Sequence, residues 1–295
     1  MIWGLDIGGT KTAFLTGTRE GRILSRTALP TADRPDWESL LTVLLPAPGA
    51  VETPEAIGVS CGGPLDSEHG LILSPPNLPG WDEVPITQWL SDRYGIPAFL
   101  QNDANACALA EWKYGAGRGT RNMVFLTFGT GFGAGLILDG RLYSGTNDQA
   151  GEIGHVRAAE SGPVGYYKAG SFEGFCSGGG LRQLARMRLG RDLTAKDLCA
   201  LARSGDAEAA AVIEESARTL GRSLSLLVDI LNPERIVIGS VFARAEDLFR
   251  GPMETVMREE CLALSLDVCR VVPAQLGDSI GDVAALTVAV NGLDP

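Results

Sequence analysis

The chain has 295 residues, long enough for one large or two ordinary domains with real cores. Hydrophobic residues make up 45% and charged residues 21%, a globular balance that argues against a largely disordered protein. Acidic side chains outnumber basic ones 36 to 25 and no Lys/Arg cluster stands out, which argues against a nucleic-acid partner. The same charge repels phosphates, so a nucleotide site here needs a local cradle of backbone amides and Mg²⁺.

The opening "MIWGLDIGGTKT" has no basic segment leading into a long apolar run, so it does not read as a signal peptide. "IWGLDIG" reads as a buried strand, "KTAFLTG" as a second after a Gly-Gly-Thr turn, and "RILSRTAL" as a third. "AIGVSCGGPLD" is an apolar strand running into glycines, and the prolines of "LSPPNLPGW" mark a loop. "IPAFLQND" is a strand ending on polar residues, and "ANACALAEWKYG" is a helix closed by Gly115. The pattern then restarts. "NMVFLTFGTGFGAGLILDGRLYSG" repeats strand, Gly/Thr turn, strand and short strand, which points to an internal duplication.

Farther on, Ile213, Ala217, Leu220, Leu224, Leu227 and Leu231 form an apolar stripe on one long helix. "RIVIGSVF" is a strand entering a glycine turn, "VCRVVPA" another strand, and "SIGDVAALTVAVNG" a closing amphipathic helix. The expected division is a smaller lobe of residues 1–115 plus 279–295 and a larger lobe of 116–278. The six cysteines form no C-x-x-C pair and read as free thiols. No run approaches the ~18 apolar residues of a membrane span, so a cytoplasmic protein with no membrane partner is expected.

Several short stretches carry chemistry. In "DIGGTKT", Gly8 and Gly9 let backbone approach an anion, Thr10 adds a hydroxyl, and Asp6 is placed to hold Mg²⁺ through water; a plain hairpin turn is the alternative. "GTGFGAG" looks at first like a dinucleotide fingerprint, but it continues as a strand rather than opening a helix. It reads better as a second phosphate turn with Thr130 as a side-chain contact. "QND" sets Asn102 and Asp103 at a strand-to-helix junction, where Asp103 serves either as a helix cap or as a general base. His69 reads as solvent-exposed. His155, in "GEIGH", reads equally as catalyst, metal ligand, substrate contact or packed core residue.

"DIGGTK", "GVSCGGPLD", "PNLPGW", "NDANACALAE", "GTGFGAG" and "GEIGH" occur in the order typical of ROK proteins (repressors, open reading frames and kinases), and the chain resembles that family over nearly its whole length. The resemblance implies the two-lobed α/β fold of the actin and hexokinase superfamily, with duplicated mixed β-sheet lobes and a nucleotide cleft. It implies ATP with Mg²⁺, a sugar substrate and a homodimer. Asp103 resembles the catalytic base. Asn102, Glu152, His155 and Glu173 resemble sugar contacts, with Asn77 and Gly63 lining the same pocket. Gly8, Gly9, Thr10 and Lys11 resemble the first phosphate loop, Gly129, Thr130 and Gly131 the second, and Gly239 the adenosine-side turn.

One departure stands out. Relatives carry C-x-C-G-x-x-G-C-x-E after "GEIGH", and those cysteines with the histidine bind structural zinc. Here the cysteine positions fall on Val164, Tyr166 and Ser171. A lone histidine does not build a four-ligand zinc site, so no zinc is expected, and His155 leans toward a substrate contact. Of the four aromatics Tyr166, Tyr167, Phe172 and Phe175, some are expected to pack as a local cluster that holds the loop instead. ROK repressors also carry an N-terminal helix-turn-helix; this chain starts at its first strand and is expected to lack one. The resemblance thus implies an ATP-dependent kinase acting on a hexose or N-acyl-hexosamine, glucokinase-like and at O6. A non-catalytic sugar sensor on the same fold is the alternative, and an ATPase or filament protein of the wider superfamily is a more distant one.

Overall fold

A computed structural model describes residues 1–34 and 36–294. The chain divides into two compact units. The first comprises residues 1–118, 141–150 and the segment from Asp278 onward; the second comprises 119–140 and 151–277.

The first unit is built on a five-stranded sheet. Its order is Ile23–Pro30, Lys11–Gly17, Ile2–Ile7, Ile57–Cys61, Ala98–Asn102. The first three strands form the antiparallel meander that the Gly-Gly-Thr turn announced. The last three run parallel, so their carboxyl ends share one edge. Ile57–Cys61 is buried throughout, as a strand covered on both faces must be. The helix Ile280–Leu293 covers one face. It is not amphipathic: Val283 through Val290 are all buried, because it lies on the sheet and against the helix Asp103–Tyr114. Glycine makes that approach possible. A Cβ on Gly4 would sit 3.1 Å from Ala285 Cβ, and one on Gly58 would strike the Ala285 carbonyl. The opposite face buries Leu40, Leu41, Leu90, Trp81 and Val84. The helices Trp37–Leu44, capped by Asp36, and Ile86–Tyr94 supply much of that layer.

The second unit has the strand order Ala134–Leu138, Met123–Leu126, Arg235–Ile238, Arg270–Pro273. One antiparallel pair is followed by two parallel pairs, where the first sheet sets two antiparallel pairs before its two parallel ones. The long helix is Ala207–Leu231, started by the Asp206 side chain and ended by Asn232 in the left-handed conformation. Its expected stripe is buried from Ile213 to Leu227, and Leu231 at the last turn is half-buried. It packs against Ser240–Glu260, which kinks at Ala245. No helix among the described residues is long and apolar enough to cross a membrane. The six cysteines are free thiols.

Candidate active site

In the first unit, parallel register decides which residues meet. Asp6 is level with Ser60 and Gln101, and Ile7 with Cys61 and Asn102. The chain therefore leaves three neighbouring strands at one edge, as Asp6, Gly62–Gly63 and Asn102–Asp103. The carboxyl edge of parallel strands is where ligands of α/β sheets bind.

The helix cap falls to Asn102, whose side-chain oxygen accepts from Ala104 N at 2.9 Å and Asn105 N at 3.4 Å. Gln101 braces the junction by accepting from Asn102 N at 2.8 Å and Asn105 Nδ2 at 3.0 Å. Asp103 is thereby released from capping. It is the first helical residue; one carboxylate oxygen accepts from Ala104 N at 2.8 Å, and the other faces Gly62. Asn102 Nδ2 faces Gly63, where a Cβ would lie 3.4 Å away. Close packing around Asp103 pushes its carboxyl above the usual range, against the backbone N–H bonds that pull it down. Its side chain nevertheless stays open to solvent, which moderates that lift.

Asp6 is the one polar residue of its buried strand. Burial first, then the carboxylates of Asp282 and Asp103, push its pKa up to about 6, while Arg26 opposes them. Arg26 is itself engaged by Asp282 at 2.9 Å. The turn that follows is closed by Gly8 N donating to Lys11 O at 3.0 Å, and Thr31 Oγ1 donates to Gly8 O at 2.5 Å. Gly9, Thr10 and Lys11 are exposed. A Cβ on Gly9 would come within 2.7 Å of Asn77 O, so the structure brings Asn77 against the first phosphate turn. His69 is exposed, as expected, with Nδ1 2.8 Å from an Asp66 carboxylate oxygen.

In the second unit, the glycine turn is held from several sides. Gly129 N donates to Gly131 O at 3.1 Å, and Gly133 N donates to Thr127 Oγ1 at 2.9 Å. Gly178 N donates to Gly129 O at 2.7 Å. Gly239 N donates to Leu126 O and Val241 N to Phe128 O, so the turn after Ile238 comes to rest beside Gly129. Glu173 reaches the same turn, accepting from Phe132 N at 3.1 Å. A Cβ on Gly131 would stand 2.8 Å from that carboxylate, and one on Gly154 would strike Phe132 O. Gly129–Phe132, Glu152–His155 and Glu173 are therefore one assembly. Glu152 and His155 are exposed, and the His155 ring meets Tyr166 edge-on, with centroids 6.2 Å apart.

Residues 2–291 match the model of the ROK family. The chain belongs to the ROK family. It is 32% identical to a glucokinase of Halalkalibacterium halodurans over 94% of this chain and 91% of that protein. It is 33% identical to an N-acetylmannosamine kinase of Escherichia coli over 90% of each. A ROK hexokinase of Thermus thermophilus superposes with a TM-score of 0.86 at 33% identity, over 99% of this chain and 98% of that one. A ROK glucokinase of Streptomyces griseus, solved with glucose and AMPPNP, superposes at 0.80 with 29% identity, over 99% of both chains. The fold is thus that of ROK hexokinases, two mixed α/β lobes of the actin-like ATPase type.

The loop that departs from the ROK zinc pattern is braced by polar contacts. Lys168 Nζ donates to His155 O at 2.8 Å, Arg157 to Ala169 O at 2.8 Å, and Phe172 N to Val156 O at 2.9 Å. Ser171, at a cysteine position of the pattern, is buried; its hydroxyl accepts from Gly174 N at 3.2 Å and donates to Gly165 O at 3.3 Å. Among the described residues, no group of three or more His, Cys, Asp or Glu could hold a metal. The four aromatics of the loop divide into two pairs. Phe172 and Phe175 are buried, whereas Tyr166 and Tyr167 occupy the tip of the hairpin Val164–Gly165/Lys168–Ala169, at φ 41° and 64°. A two-residue turn throws both rings outward, where they pair with each other at 5.4 Å.

Residue-by-residue reading missed Thr127, Ser171 and the Ser177–Gly180 helix start of this ROK chain. Only the last left a signal, three glycines behind a capping serine.

Proposed function

We propose that this protein is an ATP-dependent sugar kinase that phosphorylates a hexose or N-acyl-hexosamine, glucokinase-like and at O6. The observation that carries the reading is Asp103: a carboxylate released from capping by Asn102, lifted by its surroundings, and open to solvent. A general base benefits from a pKa nearer the working pH than that of a free aspartate. The names of the relatives support sugar as substrate and ATP as donor.

In this reading Asp103 takes the proton of the sugar hydroxyl. The oxygen forms a bond to the γ-phosphorus as the bond to the ADP oxygen breaks, and ADP departs with that electron pair. Glu152, His155 and Glu173 contact the sugar, joined by the Asn102 amide N–H, Asn77 and Gly63. The amides of Gly8–Lys11 and of Gly129–Gly131 stabilise the phosphoryl oxygens, and Gly239 borders the adenosine. Mg²⁺ bound with a nucleotide would need only one or two protein carboxylates. Asp6, crowded by Asp282 and Asp103, would hold it through water, and the ion would supply positive charge to offset that of the phosphates.

The decisive experiment is a coupled assay of ADP release with a panel of hexoses and N-acyl-hexosamines, run with and without each sugar. Sugar-dependent turnover that is lost in Asp103→Asn supports the assignment. Sugar binding without turnover would favour the sensor instead.

A further inference from the structure

A cavity in the second unit is lined by none of the residues assigned a sugar or nucleotide contact above. It has a volume of about 250 Å³ and is bordered by Ala158, Ser161, Phe175 and the side chains of Arg188, Glu215, Arg218, Thr219 and Arg222. In a chain with a net charge of -11, three arginines around one small cavity call for a reason.

Their placement supplies it. Glu215, Arg218, Thr219 and Arg222 are spaced three and four apart on the helix Ala207–Leu231, so they share one face. Arg218 and Arg222 form a like-charged i,i+4 pair, an arrangement that costs a helix stability. Glu215 does not neutralise them, because Arg188 occupies both of its oxygens at 2.9 and 2.7 Å. Arg218 has only a long contact to Glu259 at 3.8 Å, and Arg222 has no ion pair among the described residues. The Thr219 hydroxyl is turned back to Glu215 O at 2.9 Å, leaving the guanidiniums as the donors.

We propose that this cavity binds a small phosphate dianion, either orthophosphate or a phosphate monoester, through Arg218 and Arg222 with Arg188 at its border. Guanidinium forks match phosphate oxygens in geometry, and a bound dianion relieves the repulsion that the helix otherwise bears. The site is also joined to the sugar-contact assembly. Phe175 lies two residues after Glu173 in one short helix, and Ser216 Oγ, on the arginine-bearing helix, donates to Phe175 O at 2.7 Å. The Ala158–Ala159 wall follows His155, and both amides donate to Gly170 O. A dianion held there therefore bears on the segments that carry His155 and Glu173.

The test is calorimetric titration of the nucleotide-free protein with orthophosphate and, separately, with glucose 6-phosphate. The wild type is expected to bind both probes at a site that Arg218→Ala/Arg222→Ala weakens at least roughly tenfold. Arg222→Ala alone, at an exposed position, is expected to show part of the loss and covers the case in which the double variant folds poorly. Loss of binding of both probes in the double variant identifies a site open to esters; loss of orthophosphate binding alone identifies a free-phosphate site. No binding to the wild type, or binding unchanged in Arg222→Ala and the double variant, would overturn the proposal. Because the readout is binding that depends on Arg218 and Arg222, it stands or falls separately from the kinase assignment.

Discussion

The sheets of the two units share two parallel strand pairs and carry opposite chemistry at the ends of those strands. In the first, Asp6 and Asp103 are crowded carboxylates, with Asp282 adding to the repulsion on Asp6. In the second, the corresponding turn is neutral backbone, Gly129 to Phe132, and the carboxylate set against it, Glu173, holds the Phe132 amide through one oxygen. A shared scaffold thus supports a site that stores unfavourable charge and one that stores geometry. The first should fail by loss of chemistry and the second by loss of shape.

The largest effect should come from the charged end. Asp103→Asn keeps size and hydrogen-bonding capacity but removes the base, and roughly 10²–10⁴ of turnover should go with it. Sugar affinity, measured by titration without ATP, should change little. An Asp103→Asn enzyme with full activity would take this residue out of the mechanism.

The shaped end should break differently. Gly131→Val sets a branched side chain where Glu173 now stands, 2.8 Å from the first added carbon. The turn must open and Glu173 must move with it. Sequence reasoning alone points to a loss confined to ATP; the structure ties Glu173 to the same turn, so sugar affinity should fall as well. Losses of at least roughly tenfold in both are expected, a size typical of a displaced hydrogen-bonded carboxylate. Isothermal titration with each ligand checks this, and intact sugar binding would mean that Glu173 does not depend on the turn.

What was legible in the sequence follows the same divide. Strands, the two glycine turns and the stripe of Ile213 to Leu227 are local patterns, and each appears where periodicity places it. Asp103 and Asn102 were visible as a junction, but their division of labour was not, since either can cap a helix. Only the register of Ile7 with Cys61 and Asn102 brings Gly63 beside that junction. Ser171 carried no signal, because a serine that has taken a cysteine's place looks like any loop serine until its partners at 165 and 174 are known. The arginine cavity was invisible for the same reason: Arg188 comes from a separate helix.

Asp6 offers a way to weigh the stored charge. Its folded pKa of about 6 stands above the ordinary aspartate value of 3.8, so the fold favours the neutral acid. Stability from this group is complete below about pH 4 and is lost as pH rises through about 6, by up to roughly 3 kcal/mol at pH 8. Asp6→Asn never ionises and avoids that loss. The nucleotide-free variant should therefore resist urea better than wild type at pH 8 and equally at pH 4. Its ATP-dependent turnover should be impaired at both. Equal urea midpoints at pH 8 would mean that the first unit tolerates its carboxylates without strain.

The smallest effect concerns the loop from Val156 to Ser171, where polar contacts stand in the place of a metal module. Structural zinc contributes on the order of 10 kcal/mol to small domains that depend on it, so a chelator unfolds them. Here the work is spread over Lys168, Arg157, Ser171 and backbone bonds, each worth on the order of 1 kcal/mol. A chelator should leave the melting temperature unchanged, and elemental analysis should find no stoichiometric zinc. Ser171→Ala removes both the cap of the helix Phe172–Phe175 and the tie to Gly165, which should cost about 1–2 kcal/mol. Because Glu173 rides on that helix, the sugar KM should rise several-fold while the ATP KM rises less. Ser171→Thr keeps the hydroxyl and should restore part of the loss if the buried site admits the methyl group. A chelator that lowers the melting temperature, or a Ser171→Ala protein with the stability and sugar KM of wild type, would show that the loop is held by something other than these contacts.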